Sequence, residues 1–444
     1  MQASPNSHAA HLLEKIERRE LVVAIIGLGY VGLPLALAFT RAGTQVLGFD
    51  IDHAKVDALN QGQNYIKHID DQRVASAVRE RRLRATADFS RLREADAILI
   101  AVPTPLTPQR EPDMSFISAT AAQISQHLRP GQLIVLESTT YPGTTDELLR
   151  PALEQSGLVH GKDFFLAFSP EREDPGNPDF DTRHIPKVIG GVDETSRELA
   201  ERVYRVAIER TVCVASARAA EAVKLTENIF RAVNIALVNE LKVVYERMGI
   251  DVWDVLDAAS TKPFGFMRFN PGPGLGGHCI PIDPFYLTWK AREYGLTTRF
   301  IELAGEINVG MPRYVVERLQ QALNDRERPV RGSRILIIGA AYKKDIDDPR
   351  ESPSFELMHL LAERGALVEY HDPYIPVIGP LRSWPELTKL ESSPISPQLL
   401  ERYAAVVIAT DHTQVDYEML AEHASLIIDT RGVYRKARPN VVKA

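Results

Sequence analysis

Two cysteines in 444 residues leave no disulfide framework to read, and a reducing compartment suits such a chain. Charge of one sign is scarce as well. The 52 basic and 59 acidic residues give a net charge of −7 with no long run of either sign, so nucleic-acid binding gains no support. Near the start, Glu14, Lys15, Glu17, Arg18, Arg19 and Glu20 break up any apolar core that a signal peptide would need. One long uncharged run stands out: Leu21 to Phe39, nineteen residues, long enough to suggest a membrane span. Three glycines and Pro34 divide it, and a helix does not run comfortably through Gly27 to Gly32. The expectation is a cytoplasmic protein of two or three domains, with neither membrane nor nucleic acid as partner.

What the run contains instead is strand, glycine turn and helix. Val22 to Ile26 is apolar, Gly27-Leu28-Gly29-Tyr30-Val31-Gly32 follows, Leu33 to Arg41 has helical pattern, and a second apolar run ends at Asp50. In this fingerprint the first glycine permits a tight turn, the second lets backbone approach a pyrophosphate, and the third lets helix pack on strand. Phosphate then sits on the helix N-terminus. Asp50, eighteen residues past Gly32, is placed to bind both hydroxyls of an adenosine ribose and to repel a 2′-phosphate. NAD is therefore expected, and NADP disfavoured.

Pro271-Gly272-Pro273-Gly274-Leu275-Gly276-Gly277-His278-Cys279-Ile280-Pro281-Ile282-Asp283-Pro284 presents one cysteine with a carboxylate four residues on. Composition alone fits an ordinary turn with a half-buried thiol. A dinucleotide domain upstream shifts the reading toward a thiol that attacks a carbonyl carbon. Cys213, within Thr211-Val212-Cys213-Val214, is expected to be a buried strand residue.

The chain also repeats. A helix ending at Gly43 leads to Asp50, and a helix ending at Gly365 leads to Asp372, each seven residues on. Asp96 to Pro103 is echoed by Ala404 to Thr410, and Gln132 to Glu137 by Ser425 to Asp429. Two unrelated units sharing generic strand-helix grammar would give a similar pattern. The predicted fold is α/β: two Rossmann-like, doubly wound parallel-sheet domains joined by a long central helix. The expected divisions are 1–213, 214–315 and 316–444. The second domain lacks the full glycine fingerprint, so it holds a different nucleotide or none. Ser216 to Met248 contains no Gly or Pro and predicts one helix of roughly 50 Å, long enough to pack against its copy in a second subunit. Lys224 and Asn228 face the same way on it, one turn apart.

Taken together, Gly-Leu-Gly-Tyr-Val-Gly, the pair Lys224 and Asn228, the loop Gly-Gly-His-Cys-Ile-Pro-Ile-Asp-Pro and the later Ala341 to Ser352 resemble the UDP-glucose/UDP-N-acetylhexosamine 6-dehydrogenase family. The resemblance runs in order from about Val22 to Arg431. Gly-His before the cysteine and Ile-Pro-Ile-Asp-Pro after it resemble the N-acetylhexosamine branch, and Thr261 to Phe266 is most similar to the UDP-N-acetylglucosamine enzymes that supply bacterial surface polysaccharides.

The resemblance implies oxidation of a sugar C6 hydroxyl twice, using two NAD and one water, without release of the aldehyde. It casts Lys224 and Asp283 as a proton relay, Asn228 as a holder of the oxygen, and Cys279 as the nucleophile that forms a thiohemiacetal and then a thioester. Glu171 and Thr139 orient or activate the hydrolytic water. Gly27, Gly29, Tyr30, Val31, Gly32, Asp50, Thr104 and Thr139 are expected around NAD. Arg172, Lys224, Asn228, Arg268, Gly276, Lys343, Arg350 and Arg431 are expected around the UDP-sugar, with Arg268 reaching across a dimer interface. Lys343, Arg350 and Arg431 follow apolar strands, where open α/β sheets bind ligands, and guanidinium forks suit phosphate. No metal is expected, and the assembly is expected to be a homodimer or a dimer of dimers. Arg172-Glu173-Asp174-Pro175-Gly176 departs from the UDP-glucose branch, which leaves Glu171 open to a second reading as a loop carboxylate paired with Arg172. A UDP-N-acetylmannosamine or UDP-glucose 6-dehydrogenase, a two-electron hydroxyacid dehydrogenase and a silent nucleotide-sugar sensor are the alternatives.

Overall fold

The computed structural model describes residues 6–66, 69–107, 109–172, 183–277, 280–381 and 383–444. The chain divides into two compact units, Met1–Glu227 with Phe285–Leu296, and Asn228–Pro284 with Thr297–Ala444.

In the first unit, short runs rich in Val, Ile and Leu form β1 (Val22–Ile26), β2 (Gln45–Phe49), β3 (Leu83–Thr86), β4 (Ala97–Ile100), β5 (Leu133–Leu136), β6 (Phe165–Phe168), β7 (Lys187–Gly191) and β8 (Thr211–Cys213). Among the described residues these make one sheet, ordered β3-β2-β1-β4-β5-β6-β7-β8. The central strands are apolar at every position because helices cover both faces. Val23, Ile25, Leu99 and Val135 enter one apolar cluster, while Ala24, Ile26, Ile98 and Ile134 enter another on the opposite face. The strand pairings are parallel except that β6 and β7 run antiparallel, Ala167 facing Gly191 and Phe168 facing Gly190. That reversal brings the first residue of β7 beside the carboxyl end of β6.

Cys213 lies in a strand, as expected, but it is exposed and not buried. The reason is its position: among the described residues β8 is the last strand of the sheet and pairs only with β7. Partial burial and the neighbouring Glu201 push its thiol pKa up, which suppresses the reactive thiolate.

Ala217–Arg247 is a single helix of 31 residues, about 46 Å at roughly 1.5 Å per residue. It starts in the first unit and ends in the second. The second unit builds β9 (Arg334–Ile338), β10 (Leu367–His371), β11 (Ala405–Ile408), β12 (Ile427–Asp429) and β13 (Val441–Lys443), ordered β10-β9-β11-β12-β13 among the described residues. Among the described residues its neighbouring strands all run parallel. The order β2-β1-β4-β5 of the first unit thus recurs as β10-β9-β11-β12, and the repeat seen in the sequence is a repeat of topology. The fold is α/β, with two Rossmann-like sheets and a long central helix.

Candidate active site

In the first unit the glycine turn follows β1 directly. Gly27 has φ +92°, which favours glycine, and a Cβ there would lie 2.5 Å from the Ala101 carbonyl oxygen. A Cβ on Gly32 would collide with the Gly27 carbonyl, so the third glycine is what allows the helix Gly32–Arg41 to close on the strand. Nothing lies within 4 Å of a Cβ built on Gly29, leaving space where the fingerprint requires a pyrophosphate to approach backbone. Tyr30 and Val31 complete the turn, Val31 as the residue before the helix.

Asp50 ends β2 in a buried position. One carboxylate oxygen accepts from Leu28 N at 3.0 Å and the other from Asp52 N at 3.0 Å. These bonds fix the carboxylate beside the glycine turn, and each oxygen has a second lone pair with which to accept from a ribose hydroxyl. The glycines and Asp50 therefore fit NAD.

Beyond β4, the Thr104 carbonyl accepts from Tyr286 Oη at 2.6 Å. Beyond β5 comes Glu137-Ser138-Thr139-Thr140, with Ser138 Oγ donating to the Val102 carbonyl at 2.7 Å and Thr139 half-buried. The far end of this loop is held by Glu221 of the central helix. That buried carboxylate accepts from Gly143 N at 2.6 Å, Thr145 N at 2.9 Å and Thr145 Oγ1 at 2.6 Å, and burial pushes its pKa up to about 7 against those bonds. Lys224 follows one turn later on the same helix and is buried.

Glu171 is held by Lys187 and not by the Arg172 side chain. Lys187 Nζ donates to Glu171 at 3.2 Å, the Arg172 backbone N–H donates to the same carboxylate at 2.6 Å, and the Arg172 guanidinium pairs with Glu227 at 2.6 Å. The ion-pair partner of Glu171 is therefore Lys187 and not the Arg172 guanidinium. Behind Lys187 lies Glu137, bonded to it at 2.5 Å and also accepting from Tyr204 Oη. Burial pulls the Lys187 amine down, but its two carboxylate neighbours more than offset this and leave it raised and charged. One ammonium cannot neutralise two carboxylates, and complete burial pushes Glu137 up.

In the second unit, Asn228 Nδ2 donates to Asp283 Oδ2 at 2.5 Å, and both residues are buried. The structure thus joins two of the expected catalytic groups. Cys279 lies outside the described residues, as do His278 and Glu173 to Gly176. The residues before Cys279, up to Gly277, are anchored by hydrogen bonds. Asn239 accepts from Gly272 N at 2.9 Å, and Gly277 N donates to the Arg350 carbonyl at 3.1 Å. A Cβ on Gly276 would lie 2.6 Å from Tyr342 Cβ and 3.0 Å from Pro353 Cδ, so glycine there lets the loop press against residues 342–353.

Among the expected substrate cations, Arg431 donates to the Ala409 carbonyl at 2.7 Å and packs against Gly272, where a Cβ would meet its guanidinium at 2.6 Å. Arg350 forks onto Asp348 at 2.6 to 3.0 Å. Lys343 is half-buried in the loop after β9. Arg268 is engaged by Asp257 and by Asn270 at 3.0 Å.

Sequence reasoning missed Lys187, Glu137, Tyr204, Glu221 and Lys242. The available signal was a charge at the end of an apolar strand, as in Leu133 to Glu137 and at the head of Lys187 to Gly191, the same signal that marked Asp50. Lys242 is fully buried, donates to the Gly272 carbonyl at 3.4 Å, and has its pKa drawn down to about 7 by burial and by the charge of Arg431.

Asp372, the counterpart of Asp50, is fully engaged by its own unit. It accepts from Ala340 N at 2.7 Å, Ala341 N at 2.9 Å, Tyr374 N at 2.8 Å and Ile375 N at 3.0 Å, and meets His412 at 3.0 Å. A carboxylate so occupied closes its own turn, and a dinucleotide ribose would have to compete with it. The two sheets share topology but not the dinucleotide cradle.

A sheet that fits NAD, a second sheet that does not, and the buried amide–carboxylate pair of Asn228 and Asp283 point to an NAD-dependent oxidoreductase. Three family models match in order: UDP-glucose/GDP-mannose dehydrogenase family, NAD binding domain, over residues 21–208; central domain over 218–309; and UDP binding domain over 336–436. The chain belongs to the UDP-glucose/GDP-mannose dehydrogenase family. It is a nucleotide-sugar dehydrogenase that uses NAD. It is 36% identical over 398 residues to a UDP-N-acetyl-D-glucosamine 6-dehydrogenase of Pseudomonas aeruginosa, covering 89% of this chain and 92% of the relative. It is 37% identical over 433 residues to an NDP-N-acetyl-D-galactosaminuronic acid dehydrogenase of Ralstonia nicotianae, covering 94% and 97%. The solved UDP-D-ManNAc dehydrogenase of Pyrococcus horikoshii superposes with a TM-score of 0.85 at 31% identity, covering 95% of this chain and 98% of that one. Among the described residues no helix is long and apolar enough to cross a membrane.

Proposed function

We propose that this chain oxidises C6 of UDP-N-acetylglucosamine to the carboxylic acid in two steps, by way of a thiohemiacetal and a thioester on Cys279. The observation that carries the reading is the Asn228–Asp283 bond of 2.5 Å, four residues from Cys279 in sequence, in a chain whose relatives include a UDP-N-acetyl-D-glucosamine 6-dehydrogenase.

When bound by Gly27, Gly29, Gly32 and Asp50, NAD accepts the electron pair that leaves C6 in each oxidation. The chain supplies the rest. Lys224 and Asp283 take the hydroxyl proton, and Asn228 holds the oxygen by its amide while itself anchored to Asp283. The Lys224 ammonium also stabilises developing alkoxide charge. An aldehyde carbon holds its hydrogen until a nucleophile adds, and Cys279 Sγ adds to it. Thr139 and Glu171 orient and deprotonate the water that releases the acid. Arg431, Lys343 and Arg350 hold the uridine diphosphate, with Gly276 beside the sugar.

The enzyme works in the cytoplasm, in the synthesis of a surface polysaccharide, as a homodimer or dimer of dimers. Support for self-association comes from the central helix, which leaves Phe230, Leu237 and Val244 exposed at seven-residue spacing; Leu237 is 50% exposed. The relatives named above carry the names of three different sugars, glucosamine, galactosaminuronic acid and mannosamine derivatives, so sugar choice is tested by comparing kcat/KM for the gluco, manno and galacto UDP-N-acetylhexosamines and for UDP-glucose. The reading expects the gluco isomer to lead by at least about tenfold, the low end of what one mismatched pocket contact contributes. A lead by either epimer would transfer the assignment to that sugar.

A further inference from the structure

Lys187, Glu137 and Tyr204 form a buried polar cluster that the proposed chemistry does not yet use. All three are fully or almost fully buried, and only Glu171 lies toward the surface, its side chain 13% exposed. A buried ion cluster is weak evidence of stabilisation, because apolar residues of similar volume often serve as well or better. This cluster sits where β5 and β6 end and β7 begins, at the carboxyl edge of the sheet, where ligands of open α/β folds bind.

We propose that Lys187 is a positioning residue for the hydrolytic half of the reaction, fixing Glu171 as the ionised carboxylate that takes a proton from water. The proposal rests on the reading of Glu171 as the water-activating base. Tyr204 donates to Glu137, and Glu137 holds the Lys187 ammonium from behind at 2.5 Å. The ammonium in turn donates to Glu171 Oε2 at 3.2 Å, while the Arg172 backbone N–H donates to Oε1 at 2.6 Å. Two donors from different directions fix the plane of the carboxyl group. The adjacent positive charge favours the carboxylate over the acid.

The step balances without an oxidant. Water oxygen bonds to the thioester carbon, one water proton passes to Glu171, and the C6–Sγ bond breaks with its electron pair leaving on sulfur. The product acid then gives up its own proton, and the thiolate is free for the next turnover.

The test separates the two halves of the reaction. Single-turnover NADH formation, covalent sugar on the intact protein by mass, and free acid are followed in Lys187→Met, Lys187→Arg and Tyr204→Phe. Lys187→Met is expected to form NADH within about threefold of the wild-type rate but to release acid about hundredfold more slowly, the lower end of what a positioned general base contributes. The thioester should accumulate, and the acid limb of the release profile should move to higher pH. Lys187→Arg should restore most of the release rate. If Lys187→Met does not fold, Tyr204→Phe, which deletes one hydrogen bond and no charge, should show the same slowing to a lesser degree. Release unchanged in the folded variants, or both halves slowed equally, would overturn the proposal. Glu171→Gln distinguishes the causes: normal release there removes Glu171 as base and this role with it, whereas blocked release with Lys187→Met unaffected removes only Lys187.

Discussion

Asp50 is where residue chemistry and cofactor choice meet. Its side chain is held by two backbone amides at 3.0 Å, with Lys55 Nζ 3.8 Å from one oxygen, which leaves lone pairs for the ribose. Asp50→Ala should weaken NAD binding by about 1.5 to 3 kcal/mol, the worth of hydrogen bonds to a charged acceptor, and leave UDP affinity unchanged. Titration calorimetry with each ligand checks both. Lys242 allows a prediction in pH. Its pKa of about 7 lies below the unfolded value of about 10.4, so between those values the unfolded chain binds the extra proton and stability rises with pH. Arg431, Asp429, Glu246 and Tyr314 face this amine, and the two cations crowd Gly272 from different elements. Lys242→Met should therefore stabilise the protein below pH 7 by up to a few kcal/mol, with the gain fading toward pH 10; denaturant midpoints across that range read it. Asp50 was legible in the sequence because its acid ends an apolar strand at a known distance from a glycine turn. Lys242 was not, since burial of one lysine in a long polar-apolar helix depends on which face its neighbours cover.

The central helix was legible almost to the residue, Ser216 to Met248 expected and Ala217–Arg247 observed, because no Gly or Pro interrupts it. The glycine turn was legible because its fingerprint is a strong local signal, and the repeated strand order because the strand-to-acid pattern occurs twice. Cys213 was misplaced because an apolar strand reads alike in the middle of a sheet and at its edge, and only the pairing of β8 with β7 alone distinguishes them. The Lys187 cluster needs β7 to run antiparallel to β6, a long-range pairing that neither segment announces. The exposed stripe Phe230, Leu237, Val244 carries its own prediction. Leu237→Glu should lower the association state in light scattering while leaving helix content by circular dichroism unchanged. A variant that keeps the wild-type mass would remove this face as the contact.

At the scale of the molecule, the chain uses one α/β topology twice and differentiates the copies at a carboxylate. Asp50 keeps lone pairs for a dinucleotide, whereas Asp372 spends its own on four backbone amides and His412. A simple two-electron dehydrogenase would need neither the second sheet nor the cysteine loop. Their presence in a member of the UDP-glucose/GDP-mannose dehydrogenase family is what argues for oxidation beyond the aldehyde. The most direct measurement is NADH formed per sugar consumed, with limiting UDP-N-acetylglucosamine, excess NAD and the product identified by mass, in the wild type and in Cys279→Ser. Two NADH and a carboxylate from the wild type, with at most the first oxidation or a slow ester in the variant, is the predicted result. One NADH from the wild type, or unchanged acid formation without the thiol, would contradict covalent double oxidation.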